Sequence, residues 1–134
     1  LIENNNHSIL IDPGDKAELL INYLTQNNLQ LTAILLTHGH FDHIGAIDEL
    51  VEKYNCPVYI HQDDYEMIYN DQLNLSNYYG ELKIKSKVTA VDKNIDIGDF
   101  HFEFLHLPGH TIGSCFIILK NYRVDKSDKK RLKL

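Results

Sequence analysis

Cysteine and long apolar segments are both scarce in this chain of 134 residues. Its two cysteines, Cys56 and Cys115, lie far apart and form no Cys-x-x-Cys pair, so the sequence indicates neither a disulfide framework nor a cysteine-rich zinc site. It contains no run of about 20 apolar residues, the length that a membrane-spanning helix needs, and no signal-peptide pattern. These absences predict a cytoplasmic protein that does not bind a membrane.

Basic residues are scarce outside the last segment of the chain. The formal net charge is −6, and residues 120–134 hold 7 of the 13 basic residues but 2 of the 19 acidic ones. Residues 1–119 therefore carry 6 basic and 17 acidic residues, a net charge of −11. Such an acidic body argues against nucleic-acid binding. We expect residues 120–134 to be a basic tail that is disordered or non-native, with a nucleic-acid or localisation patch as the alternative.

Histidine, by contrast, is abundant, and the densest group follows an apolar run at 31–36. His38, His40, Asp42 and His43 fall within six residues. Imidazole and carboxylate are the usual ligands of zinc and other borderline first-row metals. Side chains of an extended segment alternate, so His38 and His40 project to the same side, and a helix beginning near Asp42 would turn the other two toward the same point. The segment predicts a metal site; a histidine-rich loop without a ligand is the alternative.

A further candidate ligand lies far downstream of this group. The alternating segment 100–107 runs into Pro108 and Gly109, and the next residue is His110. Proline fixes one backbone angle of such a turn and glycine permits the unusual one. Alone, His110 would be a capping or surface residue. Beside the first group it supplies the third protein ligand that leaves one open position on a tetrahedral zinc ion.

The two motifs together resemble those of the metallo-β-lactamase-fold hydrolases, and more closely those of the glyoxalase II-like, or hydroxyacylglutathione hydrolase-like, branch. The resemblance extends over residues 8–119 and includes the segments 9–14 and 113–114. It implies an α/β fold, the four-layer αβ/βα sandwich of two sheets with helices outside. Because that fold is usually longer than this chain, we expect mainly its first half. Residues 1–119 would form a partial domain with exposed apolar faces where the second half packs.

The resemblance also implies a role for each candidate ligand. His38, His40 and His110 would hold a first metal ion, and Asp42 and His43 a second. Asp42 would in addition be the catalytic residue that orients the attacking water. Zinc is the implied metal, with one ion expected here and two in a complete family site. Iron and manganese are the alternatives.

Two ligands of the family's complete site are not found in the sequence. One is an aspartate that bridges the two metals from a Gly-Asp-Thr-like turn, and the other is a last histidine. Asp125 lies near the bridging position without that glycine and threonine, and no histidine follows His110. We therefore expect one metal ion held by three histidines, and the sequence leaves open whether Asp125 replaces the bridging ligand.

The implied activity is that of a metal-dependent hydrolase, or a fragment of one. A zinc-activated water would attack a thioester-type carbonyl of a small molecule such as an S-acylglutathione. One alternative is a catalytically inactive metal-binding fragment. Another is an iron-dependent redox member of the same superfamily. The sequence leaves the substrate and the oligomeric state open.

The rest of the pattern predicts an α/β scaffold. Apolar spacing predicts one helix from an Asp15 N-cap, with Glu18 completing a capping box, to Asn27, and a second from about Ile44 to before Pro57. A short helix is expected at 63–69, and strands are expected at 9–11, 33–36, 58–60, 88–91, 95–97, 100–107 and 115–119.

The remaining histidines and one polar segment complete the predictions. His61 is predicted to be a surface residue, with a place behind the metal ligands as the alternative, and His101 and His106 are predicted to be structural or surface residues. Residues 70–87 are predicted to form a surface loop or an irregular helix. A substrate-facing lid carrying Tyr78 and Tyr79 is the alternative, since such loops often carry recognition residues.

Overall fold

The computed structural model describes residues 1–70, 72–76, 84–120 and 131–132. The lid tyrosines Tyr78 and Tyr79 and the bridging candidate Asp125 lie outside these residues. Most of the predicted basic tail does so as well, although its first residue, Lys120, is the last residue of a strand.

The described residues form two sheets and two helices. The strands are β1 (Ile2–Asn4), β2 (His7–Ile11), β3 (Gln30–Leu36), β4 (Val58–His61), β5 (Thr89–Val91), β6 (Asn94–Ile97), β7 (Phe100–His106), β8 (Cys115–Lys120) and β9 (Arg131–Leu132), and the helices are α1 (Ala17–Gln26) and α2 (Ile47–Tyr54). One sheet has the order β5-β4-β3-β2-β1-β9 and the other the order β6-β7-β8. β2, β3, β4 and β5 run parallel, so their carboxyl ends share one edge.

The central strand β3 is buried on both faces, as its continuous apolar run predicted. Ile34 and Leu36 belong to the core between the larger sheet and the helices. Ala33 and Leu35 alternate with them and belong to a second core, which the smaller sheet closes with Phe102 and other residues. The molecule is therefore layered as helices, large sheet and small sheet, which is the predicted α/β sandwich in its partial form.

The helices begin later than the sequence patterns predicted. The predicted capping box of Asp15 and Glu18 is wrong, because the N-cap is Lys16, whose φ is 56° and which makes no side-chain cap. Asp15 instead accepts a hydrogen bond from the backbone N–H of Lys16 at 2.7 Å. The second helix begins at Ile47 rather than Ile44, because a 3-10 turn and a short connection precede it.

The predicted short helix at 63–69 is also wrong in form. Two 3-10 turns, Gln62–Asp64 and Glu66–Tyr69, occupy the segment. The first turn follows directly on β4 and carries a buried carboxylate toward the carboxyl edge of the large sheet.

The outer face of the small sheet carries exposed apolar side chains, as the partial fold predicted. Leu105 of β7 lies opposite Phe116 of β8, and Phe116 is 64% exposed, with Ile118 exposed beside it. Neither helix has the length and apolar character that crossing a membrane requires, as far as the described residues go.

The two faces of the small sheet allow a matched test of the layering. We predict that Phe104→Ala lowers the free energy of unfolding by about 3–5 kcal/mol, because it opens a cavity between the sheets. Phe104 is 1% exposed, whereas Phe116 lies on the opposite face. Phe116→Ala should change the free energy by no more than roughly 0.5 kcal/mol in the same urea titration. Equal losses in the two variants would contradict the layering.

Candidate metal centre

The candidate ligands lie at the carboxyl edge of the parallel strands. β2 leads into Asp12, β3 into His38, and β4 into Asp64. Open α/β sheets bind their ligands at this edge, because the loops that leave the strands converge there. The loop between β7 and β8 reaches the same edge, since the backbone N–H of Cys115 donates to the carbonyl of Thr37 at 3.1 Å. That loop contains His110.

Three imidazoles meet at this edge. The ring centroids of His38 and His40 are 5.0 Å apart, those of His38 and His110 are 4.9 Å apart, and those of His40 and His110 are 4.6 Å apart. Nδ1 of His40 lies 2.9 Å from Nε2 of His110. Each residue offers one nitrogen within 4.8 Å of the other two. The fold therefore joins the two motifs into one group of donors.

The hydrogen bonds of His38 identify the nitrogen that it presents. The Thr37 hydroxyl donates to the Asp12 carboxylate at 2.6 Å, so its oxygen is left to accept a bond from Nδ1 of His38 at 3.0 Å. Nδ1 then carries the proton and Nε2 carries the lone pair. This Nε2 is buried and makes no hydrogen bond with any described residue.

The donor set fits a zinc ion. Three neutral imidazoles at one point are a usual catalytic zinc set, with nitrogen–zinc distances of about 2.0–2.1 Å. At a tetrahedral ion this places ligand nitrogens about 3.3 Å apart, close to the 2.9 Å between Nδ1 of His40 and Nε2 of His110. Nε2 of His38 is also buried without a hydrogen-bond partner among the described residues, and a bound cation would account for this.

Asp12 is a site residue to which the sequence analysis gave no role. Its Oδ1 accepts from the Thr37 backbone N–H at 2.8 Å, and its Oδ2 accepts from the Thr37 hydroxyl and from Nδ1 of His43 at 3.0 Å. It thus orients His38 through Thr37 and His43 directly. Its place directly after the predicted strand 9–11, within the segment 9–14 of the family resemblance, was a sequence signal for this role.

His43 and Asp42 form a second pair beside the three imidazoles. Since Asp12 binds its Nδ1, His43 presents Nε2, which lies 3.6 Å from Oδ2 of Asp42. The ring of His43 is 4.1 Å from that of His38, whereas the side chain of Asp42 is 61% exposed. The structure therefore places His43 against the three imidazoles and leaves the side chain of Asp42 exposed to solvent.

Close packing fixes the backbone behind Asp42. A Cβ at Gly14 would lie 1.8 Å from the carbonyl oxygen of Asp42, so only glycine fits there. The backbone N–H of Ala46 donates to the carbonyl of Pro13 at 3.0 Å. The sequence predicted that Gly109 adopts an unusual backbone angle in its turn, but Gly109 does not have a positive φ.

The charge state of the centre favours metal binding. Burial, with smaller contributions from neighbouring histidines, lowers the pKa of His38 below 6.5. Burial, followed by the adjacent His110, lowers the pKa of His40 in the same direction. Both imidazoles are therefore neutral at pH 7, which is the form that binds a metal.

Both cysteines are free thiols, and burial raises the pKa of Cys56 to about 11 and of Cys115 to about 12.

The prediction that His61 is a surface residue is wrong. Its side chain is buried, and its ring stacks on that of His106 with centroids 4.2 Å apart. The backbone N–H of Asp63 donates to Nδ1 of His61, and Nε2 of His106 donates to the carbonyl of Ile112 at 2.6 Å. His61, Asp63 and His106 also place one possible metal-binding atom each within 4.8 Å of the others. However, Nδ1 of His61 and Nε2 of His106 already make the hydrogen bonds just described.

Comparisons with known proteins all point to the same family. The model of the metallo-beta-lactamase superfamily matches residues 1–125. The chain is 36% identical over 122 residues to the probable metallo-hydrolase YqgX of Bacillus subtilis, covering 88% of this chain and 58% of that protein. It is 39% identical over 106 residues to a hydroxyacylglutathione hydrolase of Bdellovibrio bacteriovorus, covering 79% of this chain and 36% of that enzyme.

A solved structure agrees with this family. The crystal structure of TTHA1623 in a di-iron-bound form superposes with a TM-score of 0.73 at 33% identity, covering 90% of this chain and 60% of that one. The chain thus spans 58% of the length of YqgX and 60% of that of TTHA1623, but only 36% of that of the Bdellovibrio bacteriovorus enzyme.

Removing one imidazole tests the assignment of the ligands. We predict that His38→Ala and His110→Ala each abolish the stoichiometric zinc binding of the native chain, because two imidazoles alone do not hold the ion through gel filtration. His101→Ala is the control, since His101 bonds Asp96 on β6 instead. Metal analysis of the eluted protein is the measurement. Unchanged zinc in both variants would refute the assignment.

The depressed pKa values predict a pH dependence of the metal-free protein. The unfolded chain protonates its histidines near 6.5, whereas folded His38 and His40 protonate at lower pH. The unfolded state therefore binds more protons as the pH falls through 6.5, and the free energy of unfolding decreases toward the folded pKa values. His38→Gln should make this decrease shallower in urea titrations between pH 7.5 and 5.5. An unchanged slope would contradict the burial of a neutral His38.

Proposed function

The chain belongs to the metallo-β-lactamase superfamily, and we propose that it is a metal-dependent hydrolase whose centre is formed by His38, His40, Asp42, His43 and His110. The observation that carries this proposal is the meeting of three imidazoles around a buried Nε2 for which the described residues provide no partner. Because this chain covers 58% of the length of YqgX, the activity of a whole relative is extended to it only as part of this proposal.

We assign the first metal position to Nε2 of His38, Nδ1 of His40 and Nε2 of His110. The second position takes Nε2 of His43 and the carboxylate of Asp42, whose facing atoms are 3.6 Å apart. A zinc ion, when bound, supplies a Lewis acid for the substrate carbonyl and lowers the pKa of its water from 15.7 to about 7. Iron is the alternative metal, supported by the di-iron form of TTHA1623.

The residues of this chain have separate tasks in such a reaction. Asp12 fixes the tautomers of His38 and His43, so that both present lone pairs to the centre. Asp42 is the one carboxylate of the group with an exposed side chain, and its Oδ1, the oxygen that does not face His43, would orient a water and accept its proton. No serine or cysteine nucleophile is required, and both cysteines are buried as protonated thiols.

We propose a small-molecule thioester, of the S-acylglutathione type, as the substrate. Support comes from the hydroxyacylglutathione hydrolase of Bdellovibrio bacteriovorus, which this chain matches over about a third of its length. The acidic body of the chain argues against a nucleic-acid substrate. Two free thiols are consistent with a reducing cytoplasm, where we place the protein.

A catalytically inactive metal-binding protein is the second candidate. The observation that favours it is that Asp125, near the family's bridging position, lacks the glycine and threonine of that turn. Turnover by the zinc-loaded chain separates the two candidates.

Substitution of Asp42 tests the catalytic assignment. We predict that Asp42→Asn lowers kcat for an S-acylglutathione thioester at least about 100-fold, because a positioned general base contributes about 10²–10⁴-fold. Zinc at the three-histidine position should remain bound. Asp96→Asn, an exposed carboxylate paired with His101, is the matched control and should keep native activity.

Released thiol is measured continuously, and bound zinc is measured on the same samples. Activity of Asp42→Asn within threefold of native would refute the role of Asp42. Native chain that holds zinc and shows no turnover would favour the inactive candidate.

A further inference from the structure

Asp64 is a fully buried carboxylate that bonds both segments carrying the metal ligands. Its Oδ2 accepts from the backbone N–H of Gly39 at 3.1 Å and from the hydroxyl of Thr111 at 2.7 Å. Its Oδ1 accepts from the backbone N–H of Gly113 at 2.7 Å. Gly39 separates His38 from His40 in the sequence, and Thr111 follows His110.

These bonds connect segments that are about seventy residues apart in sequence. A buried carboxylate is costly unless several donors satisfy it, and bonds to a charged acceptor are short and strong. The three donors must therefore stay in place around Asp64. Because two of them come from the loop of His110 and one from the segment of His40, the carboxylate fixes the separation of the two ligand segments.

The turn that carries Asp64 is held against the same loop by a second set of contacts. Nδ1 of His61 accepts the backbone N–H of Asp63, and the ring of His61 stacks on His106 at an interplanar angle of 16°. His106 in turn donates to the carbonyl of Ile112, which lies in the loop. This accounts for the burial of His61.

The hydrogen bond between Gly113 and Asp64 requires a glycine at position 113. A Cβ there would lie 2.6 Å from Oδ1 of Asp64 and 2.5 Å from its backbone nitrogen. The loop approaches the carboxylate so closely that no side chain fits between them.

We propose that Asp64 is a positioning residue of the metal centre, which sets the distance between the imidazoles of His40 and His110 before a metal ion binds. The proposal rests on the proposed metal-dependent function. Its consequence is that part of the metal affinity resides in a carboxylate that does not touch the metal.

A merely structural carboxylate gives a different expectation. Its loss would destabilise the chain equally with and without metal. Loss of a positioning residue weakens metal binding itself, so the rise in unfolding temperature produced by zinc becomes smaller.

Asp48 provides a matched control. It accepts the same kinds of donor, two backbone N–H groups from Lys85 and Ser86 and the hydroxyl of Ser86. None of these donors is next to a candidate ligand in the sequence. Asp48→Asn therefore disturbs a similar hydrogen-bonded carboxylate without disturbing the separation of His40 and His110.

The experiment compares native chain, Asp64→Asn and Asp48→Asn. Zinc affinity is measured by competition with a chromophoric chelator, and unfolding temperatures are measured with and without zinc. We expect Asp64→Asn to bind zinc about 10–100-fold more weakly than native chain, with a smaller zinc-induced rise in unfolding temperature. Asp48→Asn should keep native affinity within about threefold.

Native affinity in Asp64→Asn, or an equal loss in both variants, would overturn the positioning role while leaving the proposed function in place. Native chain that binds no zinc would contradict the proposed function itself. If Asp64→Asn does not fold by circular dichroism, Thr111→Val replaces it, with Ser114→Ala as its control, because the Thr111 hydroxyl bonds both Asp64 and the Ser114 hydroxyl. A larger loss of affinity in Thr111→Val than in Ser114→Ala supports the role, and an equal or absent loss overturns it.

Discussion

A buried imidazole nitrogen without a hydrogen-bond partner among the described residues is the constraint on which the candidate centre depends. An unsatisfied buried polar atom costs about 1–3 kcal/mol, and a bound cation would offset that cost at His38. Here Nε2 of His38 lies beside two further imidazoles that converge on the same point. A cation at that point satisfies all three lone pairs at once, and neutral imidazoles are the form in which they do so.

Two carboxylates hold this arrangement from opposite sides. Asp12, after β2, accepts from Thr37 and His43, and so orients two imidazoles of the first motif. Asp64, after β4, accepts from Gly39 on one side and from the loop of His110 on the other. Each carboxylate receives three hydrogen bonds, which offsets the cost of its burial. The parallel strands thus supply both the ligands and the groups that orient them.

The sequence predicted what local pattern determines. Period-two spacing placed His38 and His40 on one side of an extended segment, and the apolar run before them predicted the buried strand β3. It failed where a competing contact decides, whether that contact is local or tertiary. Asp15 was predicted as an N-cap, but its carboxylate is used by the adjacent Lys16 N–H. The burial of His61 depends on stacking with His106, which lies three strands later and leaves no local signal.

The central claim is that three imidazoles of this chain bind one metal ion, and X-ray absorption of the zinc-loaded chain tests it most directly. The account predicts imidazole scattering from three histidines with nitrogen at about 2.0–2.1 Å. Sulfur at about 2.3 Å, which would bring Cys56 or Cys115 to the metal, or scattering from fewer than three imidazoles would contradict it.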